Sequence, residues 1–172
     1  MNQNQWTIKS QEALQGAQIF AEDRGHPELT VEHLLSAMIV DGEGLACRLL
    51  NHMEVSVPSL RQKLSEALGG LPETTGGTEL RPSAELTRAL DSAAKEARRL
   101  KDEYVSIEHL LLGILKGAPG SMAGRLLEEE GANPARFEET LVRVRGSQRV
   151  TSPDPESTYE ALERYVRDLV DL

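Results

Sequence analysis

Apolar side chains recur along this chain at the three- and four-residue spacing of an α-helix. The stretch 86–100 shows the spacing best, with Leu or Ala at positions 86, 89, 90, 93, 97 and 100. These positions form one stripe on a helix of 3.6 residues per turn. Ser83 follows Pro82 and precedes the stripe, which is typical of a helix N-cap, and Glu85 would face the positive helix end. The pattern therefore predicts a helix that begins after Ser83.

The pattern of the first half of the chain returns in the second half. Residues 30–35 read Thr-Val-Glu-His-Leu-Leu, and residues 106–111 read Ser-Ile-Glu-His-Leu-Leu, at an offset of 76 residues. The same offset relates Thr7 to Ser83 and the Ala residues 13, 17 and 21 to those at 89, 93 and 97. After a one-residue insertion, Arg-Leu-Leu at 48–50 matches 125–127. A register kept over most of each half indicates an internal duplication.

Each half predicts four helices. The first helices begin at Thr7 and Ser83, and the second at Thr30 and Ser106, with Glu32 and Glu108 in the first turns of the second helices. Short third helices are predicted near 43–52 and 119–130. The fourth begin around 57–58 and at 133–134, where Asn caps and Pro takes the first helical position. The predicted fold is all-α: duplicated four-helix repeats form a pseudo-twofold eight-helix domain, followed by a C-terminal linker helix.

Two polar stretches divide the chain. Residues 69–78 are rich in Gly, Thr and Pro and connect repeat one (5–70) to repeat two (80–146). A second break at 146–155 closes the duplicated domain (1–146). The segment 147–172 has no counterpart in either repeat, and its residues from Ser157 onward show the pattern of one more amphipathic helix. We expect that helix to be mobile relative to the domain.

Composition excludes several classes of function. The formal charge is −9, and no basic stripe is interleaved with aromatic residues, so nucleic acid is not expected as a partner. The start of the chain is polar, and the apolar stretch at 110–115 is too short to cross a bilayer. Cys47 is the only cysteine, which fits a reducing compartment. We therefore expect a cytoplasmic protein with no membrane partner.

The chain carries no recognisable catalytic or metal-binding motif. His33 and His109 each follow a Glu, but the spacing is not that of a zinc protease, and duplication of a packing and capping position explains the pair better. His26 and His52 have no partner recognisable from spacing, and Cys47 is expected to be a small buried hydrophobe. Neither a Gly-x-Ser-x-Gly motif nor a phosphate-binding loop occurs. We predict no enzyme activity, no catalytic or metal-ligating residue and no cofactor for this chain.

Two four-helix halves that share Thr/Ser-x-Glu-His-Leu-Leu resemble the amino-terminal repeat domain of the Clp family of AAA+ unfoldases. The resemblance covers residues of about 5 to 145. Within that family, Gly-Gly-Leu-Pro at 69–72 and Glu-Ser-Thr-Tyr-Glu-Ala-Leu-Glu-Arg-Tyr at 156–165 resemble the ClpB branch, although Arg167 stands where that branch usually has Gly before Asp-Leu. The resemblance implies that 147–172 is the linker and start of an ATPase module.

The resemblance also implies a function and partners. We expect the substrate-recruiting N-terminal domain of an ATP-dependent disaggregase, which binds exposed apolar segments of unfolded or aggregated proteins. ATP and Mg²⁺, a homohexamer and a co-chaperone system are expected for the full-length protein. The alternative is the N-domain of a Clp protease unfoldase that docks an adaptor. A free-standing small enzyme is a third and remote hypothesis.

Six residues are predicted to bind substrate. The resemblance implies that Thr7, Asp102 and Glu108 lie near the substrate-recruiting surface, while a purely local interpretation makes them helix-capping and turn residues. The Ala stripes of the two first helices would let these helices approach closely or leave a shallow groove between the halves. In that groove, Leu14, Leu90 and Leu110 would line an apolar trough. The alternative is that the stripe residues simply belong to the core.

Overall fold

The computed structural model describes residues 5–74, 79–146 and 148–157, and in these ranges the protein is almost entirely helical. Repeat one contains α1 (Ile8–Asp23), α2 (Val31–Met38), α3 (Leu45–His52) and α4 (Val57–Gly69). Repeat two contains α5 (Ala84–Arg99), α6 (Ile107–Gly117), α7 (Met122–Glu129) and α8 (Pro134–Arg145). The two-residue strands β1 (Glu28–Leu29) and β2 (Arg81–Pro82) complete the elements. The all-α fold with duplicated four-helix repeats is confirmed.

Side-chain caps place most helix starts where the sequence predicts them. An oxygen of the N-cap side chain accepts a first-turn backbone N–H in six of the eight helices, with Thr7, Thr30, Ser56, Ser83, Ser121 and Asn133 as the caps. In α2 and α6 the third helical residue is a histidine, and its Nδ1 accepts the backbone N–H of Thr30 or Ser106. The capping role predicted for His33 and His109 is confirmed.

Short strand pairings follow the approximate twofold symmetry of the repeats. Leu29 of β1 pairs in parallel with Pro82 of β2, and Val105 pairs in parallel with Trp6. The 76-residue offset converts Leu29 into Val105 and Trp6 into Pro82, so the two pairings are equivalent. In each repeat, the residues before the first helix thus pair with the residues before the second helix of the other repeat, and these two pairings connect the halves.

The core runs through both repeats, and the Ala stripes belong to it. Ala13, Ala17 and Ala21 of α1, like their counterparts 89, 93 and 97 of α5, are buried. The main partner of α1 is α2 and that of α5 is α6, so each stripe packs within its own repeat. The predicted close approach of the two first helices is therefore wrong. The repeats meet mainly through α3 with α6 and α8, and through α7 with α2 and α4.

The segment that follows repeat two lies against the domain. The backbone N–H of Glu103 donates to the carbonyl of Val150 at 2.8 Å, and that of Ile8 donates to Pro153 at 2.8 Å. Residues 155–157 are helical, and both Val150 and Glu156 are fully buried. We call residues 148–157 the strap. The remainder of the predicted linker helix and its mobility lie outside the described residues, and the predicted domain boundary at 146 stays a prediction.

None of the helices in the described ranges combines the length and the apolar character that a bilayer crossing requires.

Candidate functional site

An apolar depression in the described part of the chain lies mainly in repeat one. It has a volume of about 410 Å³ and runs between α1 on one side and α2, the loop 39–44 and the start of α3 on the other. We call it the α1–α3 groove, and it is lined by Lys9, Glu12, Ala13, Gly16, Phe20, Ser36, Ala37, Met38, Val40, Asp41, Gly44, Leu45, Ala46, Ile107 and Glu156. Its walls are mostly apolar, and Val40 at its edge is 76% exposed.

The close packing of α5 on α6 is not repeated between α1 and α2. Ala37 of α2 lies opposite Gly16 of α1, and a Cβ on Gly16 would lie 3.6 Å from the Ala37 methyl group. The counterpart of Ala37 in repeat two is Gly113, where an added Cβ would lie 2.9 Å from the Ala93 Cβ atom. α5 and α6 therefore pack more closely than α1 and α2. Repeat one thus has an Ala side chain where repeat two has glycine, and the groove lies where α1 and α2 pack less closely.

A second depression, of about 420 Å³, lies between the repeats. This inter-repeat cleft brings Leu14 of α1 and Leu90 of α5 to the same surface, where Gln18, Glu22, Leu29, Glu79, Leu80, Pro82 and Leu86 complete the lining. The structure thus places two of the three predicted apolar contacts side by side. Leu110 is absent from this lining and is buried in the core instead.

A buried carboxylate of the strap links α1 to α6. Glu156 Oε2 accepts the hydroxyl proton of Thr7 at 2.6 Å and the backbone N–H of Ile107 at 3.2 Å. Thr7 Oγ1 in turn accepts the backbone N–H of Ser10 as the cap of α1. Burial and the nearby Glu108 carboxylate raise the pKa of Glu156 to about 7, against the opposing effect of the Thr7 hydroxyl. Its Oε1 is buried without a hydrogen-bond partner.

Asp102 is the centre of a second buried network. Its carboxylate accepts two hydrogen bonds from the Arg145 guanidinium, at 2.9 and 2.6 Å, and one from the Val150 backbone N–H at 2.9 Å. His109 Nε2 donates to it at 2.7 Å, because the Nδ1 atom is occupied as the acceptor of the Ser106 N–H. Burial acts to raise the pKa of Asp102, but these bonds to the ionised form hold that pKa well below its usual range.

Glu108 lies next to this network without a hydrogen bond of its own. Its side chain is fully buried, both oxygens lack a hydrogen-bond partner, and Arg145 Nη1 is 3.6 Å from Oε2. Burial raises the pKa of Glu108, while the charges of His109 and Arg145 act in the opposite direction.

The predicted site residues are therefore not gathered on one surface. Thr7, Asp102, Glu108 and Leu110 are buried and line neither depression, so a bound chain would reach them only after the strap or the repeat interface had opened. Leu14 and Leu90 line the inter-repeat cleft. Contact of these six residues with a substrate stays a prediction. The sequence reasoning missed the α1–α3 groove and the role of Glu156.

His26 has a partner that the spacing of the sequence did not reveal. His26 Nδ1 lies 2.8 Å from His33 Nε2, and the two residues correspond through the 76-residue offset to Asp102 and His109. Because His33 Nδ1 accepts the Thr30 N–H, the proton of neutral His33 resides on Nε2 and is donated to His26. Burial, together with the repulsion that a second proton on this histidine pair would meet, lowers the pKa of His33 to about 4.

Docking of the strap should strengthen on acidification. The raised pKa of Glu156 means that the folded state favours the protonated carboxyl, a contribution that is lost as the pH rises through about 7. We expect the hydrogen-exchange protection factor of the Ile8 amide, which donates to Pro153, to rise several-fold between pH 8 and pH 6. Glu156→Gln is the control and should show no such change. Equal pH dependence in both proteins would contradict this assignment.

Comparison with known proteins identifies the family. A family model described as the Clp repeat (R) N-terminal domain matches residues 5–130. The chaperone protein ClpB of Mycobacterium tuberculosis is 41% identical over 164 residues, which is 95% of this chain and 19% of the relative. ClpB of Bacillus cereus is 40% identical over 176 residues, 99% of this chain and 20% of the relative. The chain thus spans about a fifth of the length of these curated relatives.

Solved structures share the fold. The Hsp104 N-terminal domain from Candida albicans superposes with a TM-score of 0.76 at 22% identity, over 88% of this chain and 98% of that one. The N-domain of ClpV in complex with a VipB peptide superposes with a TM-score of 0.65 at 19% identity, over 81% and 86% of the two chains. The solved structures confirm the fold, and the family match together with the ClpB relatives shows that the chain belongs to the Clp repeat N-terminal domains of ClpB-type chaperones.

Proposed function

We propose that this domain recruits unfolded or aggregated polypeptides to an ATP-dependent disaggregase by binding their exposed apolar segments. The observation that carries the proposal is the α1–α3 groove, an open apolar depression on a surface that is otherwise strongly charged. A stable monomer exposes few contiguous apolar surfaces of this kind unless they bind something.

The size of the groove favours weak, sequence-tolerant binding. Each 100 Å² of apolar surface that a bound segment buries contributes about 2.5 kcal/mol. Most of that free energy offsets the loss of translational, rotational and side-chain freedom on association. Such an affinity suits a recruiting domain, because the cargo must be released again to a motor.

Charge in and around the groove shapes its preference. Glu12 and Asp41 line it with a single cation, Lys9, which lies 3.9 Å from Glu12. The whole chain carries a formal charge of −9. Segments in which apolar residues are flanked by Lys or Arg should therefore bind better than segments flanked by Asp or Glu, and the difference should shrink as salt is added.

The proposal extends to the complete protein. We infer a cytoplasmic homohexamer whose further modules bind ATP and Mg²⁺ and which works with a co-chaperone system. Its support is the identity of about 40% to ClpB chaperones over nearly all of this chain.

Docking of an adaptor protein is the second candidate function. It is favoured by the structural likeness to the N-domain of ClpV, which has been solved with a VipB peptide. An adaptor would bind as one defined sequence, whereas a recruiting domain should accept many unrelated apolar segments. Binding measured against a panel of scrambled peptides of equal composition separates the two, because scrambling abolishes only adaptor docking.

The groove is tested with Val40→Asp, measured by fluorescence titration against a permanently unfolded, reduced and alkylated protein. Val40 is largely exposed, so the charge leaves the core intact but places a carboxylate at the edge of the apolar wall. We expect the dissociation constant to rise at least fivefold. The matched control is Val142→Asp on α8, a valine 66% exposed that does not line the groove, and it should leave binding unchanged.

Leu90→Asp tests the inter-repeat cleft in the same titration. If binding depends on Leu90 and not on Val40, the recruiting surface is the cleft between the repeats, and the assignment to the α1–α3 groove is wrong.

A further inference from the structure

The symmetry of the repeats is broken at the start of their third helices. The third helix of repeat two, α7, receives a cap from repeat one: Glu32 Oε2 accepts the backbone N–H of Ala123 in the first turn of α7 at 3.0 Å. Ser121 Oγ accepts a second N–H of the same turn, from Gly124. The N-terminus of α7 is thus capped twice, once from its own repeat and once from the other.

The equivalent turn of α3 lacks both caps. The counterpart of Ser121 is Gly44, which has no side chain to offer. The counterpart of Glu32 is Glu108, which lies beside Arg145, and neither of its oxygens has a hydrogen-bond partner. Asp41 accepts the N–H of Glu43, one turn too early to replace them. Within the described residues, the Ala46 and Cys47 N–H groups, which correspond to those of Ala123 and Gly124, are therefore left without a side-chain acceptor.

This uncapped turn is part of the α1–α3 groove. Gly44, Leu45 and Ala46 all line it, so the positive end of α3 contributes to an otherwise apolar surface. An unpaired acceptor lines the same groove: Glu156 is fully buried, its Oε2 is held by Thr7 and Ile107, and its Oε1 has no partner. The groove thus offers main-chain donors on one wall and a carboxylate oxygen on another.

We propose that the α1–α3 groove binds the main chain of an extended apolar segment, with a carbonyl oxygen on the Ala46 N–H and an N–H on Glu156 Oε1. The proposal rests on the function proposed above and specifies how the groove holds its ligand. Main-chain groups occur in every polypeptide, so these two bonds fix the direction of the bound chain without selecting its sequence.

An internal carbonyl fits this turn better than a terminal carboxylate. The Glu12 and Asp41 carboxylates line the same groove with the single cation Lys9, and their charge disfavours a further carboxylate. A carbonyl is neutral and accepts the same N–H. The occupant is therefore an internal segment of a polypeptide chain rather than a free C-terminus.

The donor wall is tested by NMR on the wild-type chain. Two probes are compared. The blocked peptide is leucine-rich, has a lysine near each end, and is acetylated at its N-terminus and amidated at its C-terminus. The second peptide has the same sequence and a free C-terminal carboxylate. We expect the blocked peptide to bind and to move the Ala46 amide proton downfield, while the Ala123 amide, already bonded to Glu32, stays in place. Binding by the free-carboxylate peptide alone, or a stationary Ala46 amide during saturation, overturns the proposal.

The acceptor wall is tested with a series of blocked peptides in which one main-chain N–H at a time is methylated. With the wild-type chain, methylation at one position should raise the dissociation constant at least fivefold. With Glu156→Gln, methylation at that position should raise it less than twofold, because the glutamine amide group donates a hydrogen bond where Oε1 accepts one. Uniform effects along the series, or the same sensitive position in both proteins, overturn this contact. If Phe20 and Ala37 signals shift while Ala46 does not, the groove binds apolar segments and only the main-chain inference fails. If no groove signal shifts, the proposed function fails as well.

Discussion

Replacing Asp102 with alanine is expected to lower the free energy of unfolding by about 3–5 kcal/mol. The substitution removes the acceptor of two hydrogen bonds from Arg145 and one from His109, and it leaves a buried guanidinium without its carboxylate. It also frees the Val150 N–H, which anchors the strap. Urea denaturation at pH 7, followed by circular dichroism, measures the change.

Asp91→Ala is the matched control, because Asp91 lies on the exposed face of α5. Its effect should stay within about 0.5 kcal/mol. The low pKa of Asp102 adds a test with a defined sign: its stabilisation is present above the ordinary aspartate pKa and is lost as the pH falls below it. The gap between the wild type and Asp102→Ala should therefore narrow below about pH 4. A gap of under 1 kcal/mol at pH 7 would contradict the role of this network.

This expectation changes how the predicted substrate contacts are to be tested. Thr7, Asp102 and Glu108 are all buried, and they join α1, α6, α8 and the strap. If a variant at one of these residues recruits less substrate, the cause can be a defect in folding or in strap docking. The stability of each such variant must therefore be measured as well. Val40→Asp does not have this ambiguity, because Val40 contributes little to the core.

The sequence could predict the helices because their signals are local. N-cap residues such as Ser83 and Asn133 act within one turn, and the apolar spacing of the stripe 86–100 reflects burial on one face. The duplication added long-range information, since equal patterns at a fixed offset imply equal folds. The same offset could have revealed the partner of His26: it maps His26 and His33 onto Asp102 and His109, so a contact in one repeat predicts the other.

The candidate site could not be predicted in the same way. Glu156 lies beyond the repeats and has no counterpart, and its bonds to Thr7 and Ile107 join residues that are far apart in sequence. The α1–α3 groove depends on the spacing of two packed helices, which no periodicity encodes. The predicted seam between α1 and α5 assumed that small residues face each other, whereas each Ala stripe faces the second helix of its own repeat.

Replacing Gly113 with alanine is expected to lower the free energy of unfolding by about 3 kcal/mol. An alanine methyl group at this position would overlap the backbone carbonyl of Ala89 and lie 2.9 Å from the Ala93 Cβ atom. Both clashes involve the α5 backbone or its first side-chain atom, so no side-chain rotation can relieve them. Helices α5 and α6 would have to separate, and their contact is the most extensive between two helices of the described chain.

Gly16→Ala provides the control for helix propensity, because it adds the same methyl group to a helix of repeat one. There the new Cβ would meet only the Ala37 methyl group at 3.6 Å, an ordinary contact. Alanine favours the helix by about 1 kcal/mol over glycine, so Gly16→Ala should be neutral or stabilising. The comparison isolates helix spacing as the cause, since the chemistry of the two substitutions is the same. Thermal denaturation of both variants measures the difference. Equal melting temperatures would show that the spacing of α1 and α2 does not differ from that of α5 and α6. That result would remove the physical reason for a groove in repeat one alone.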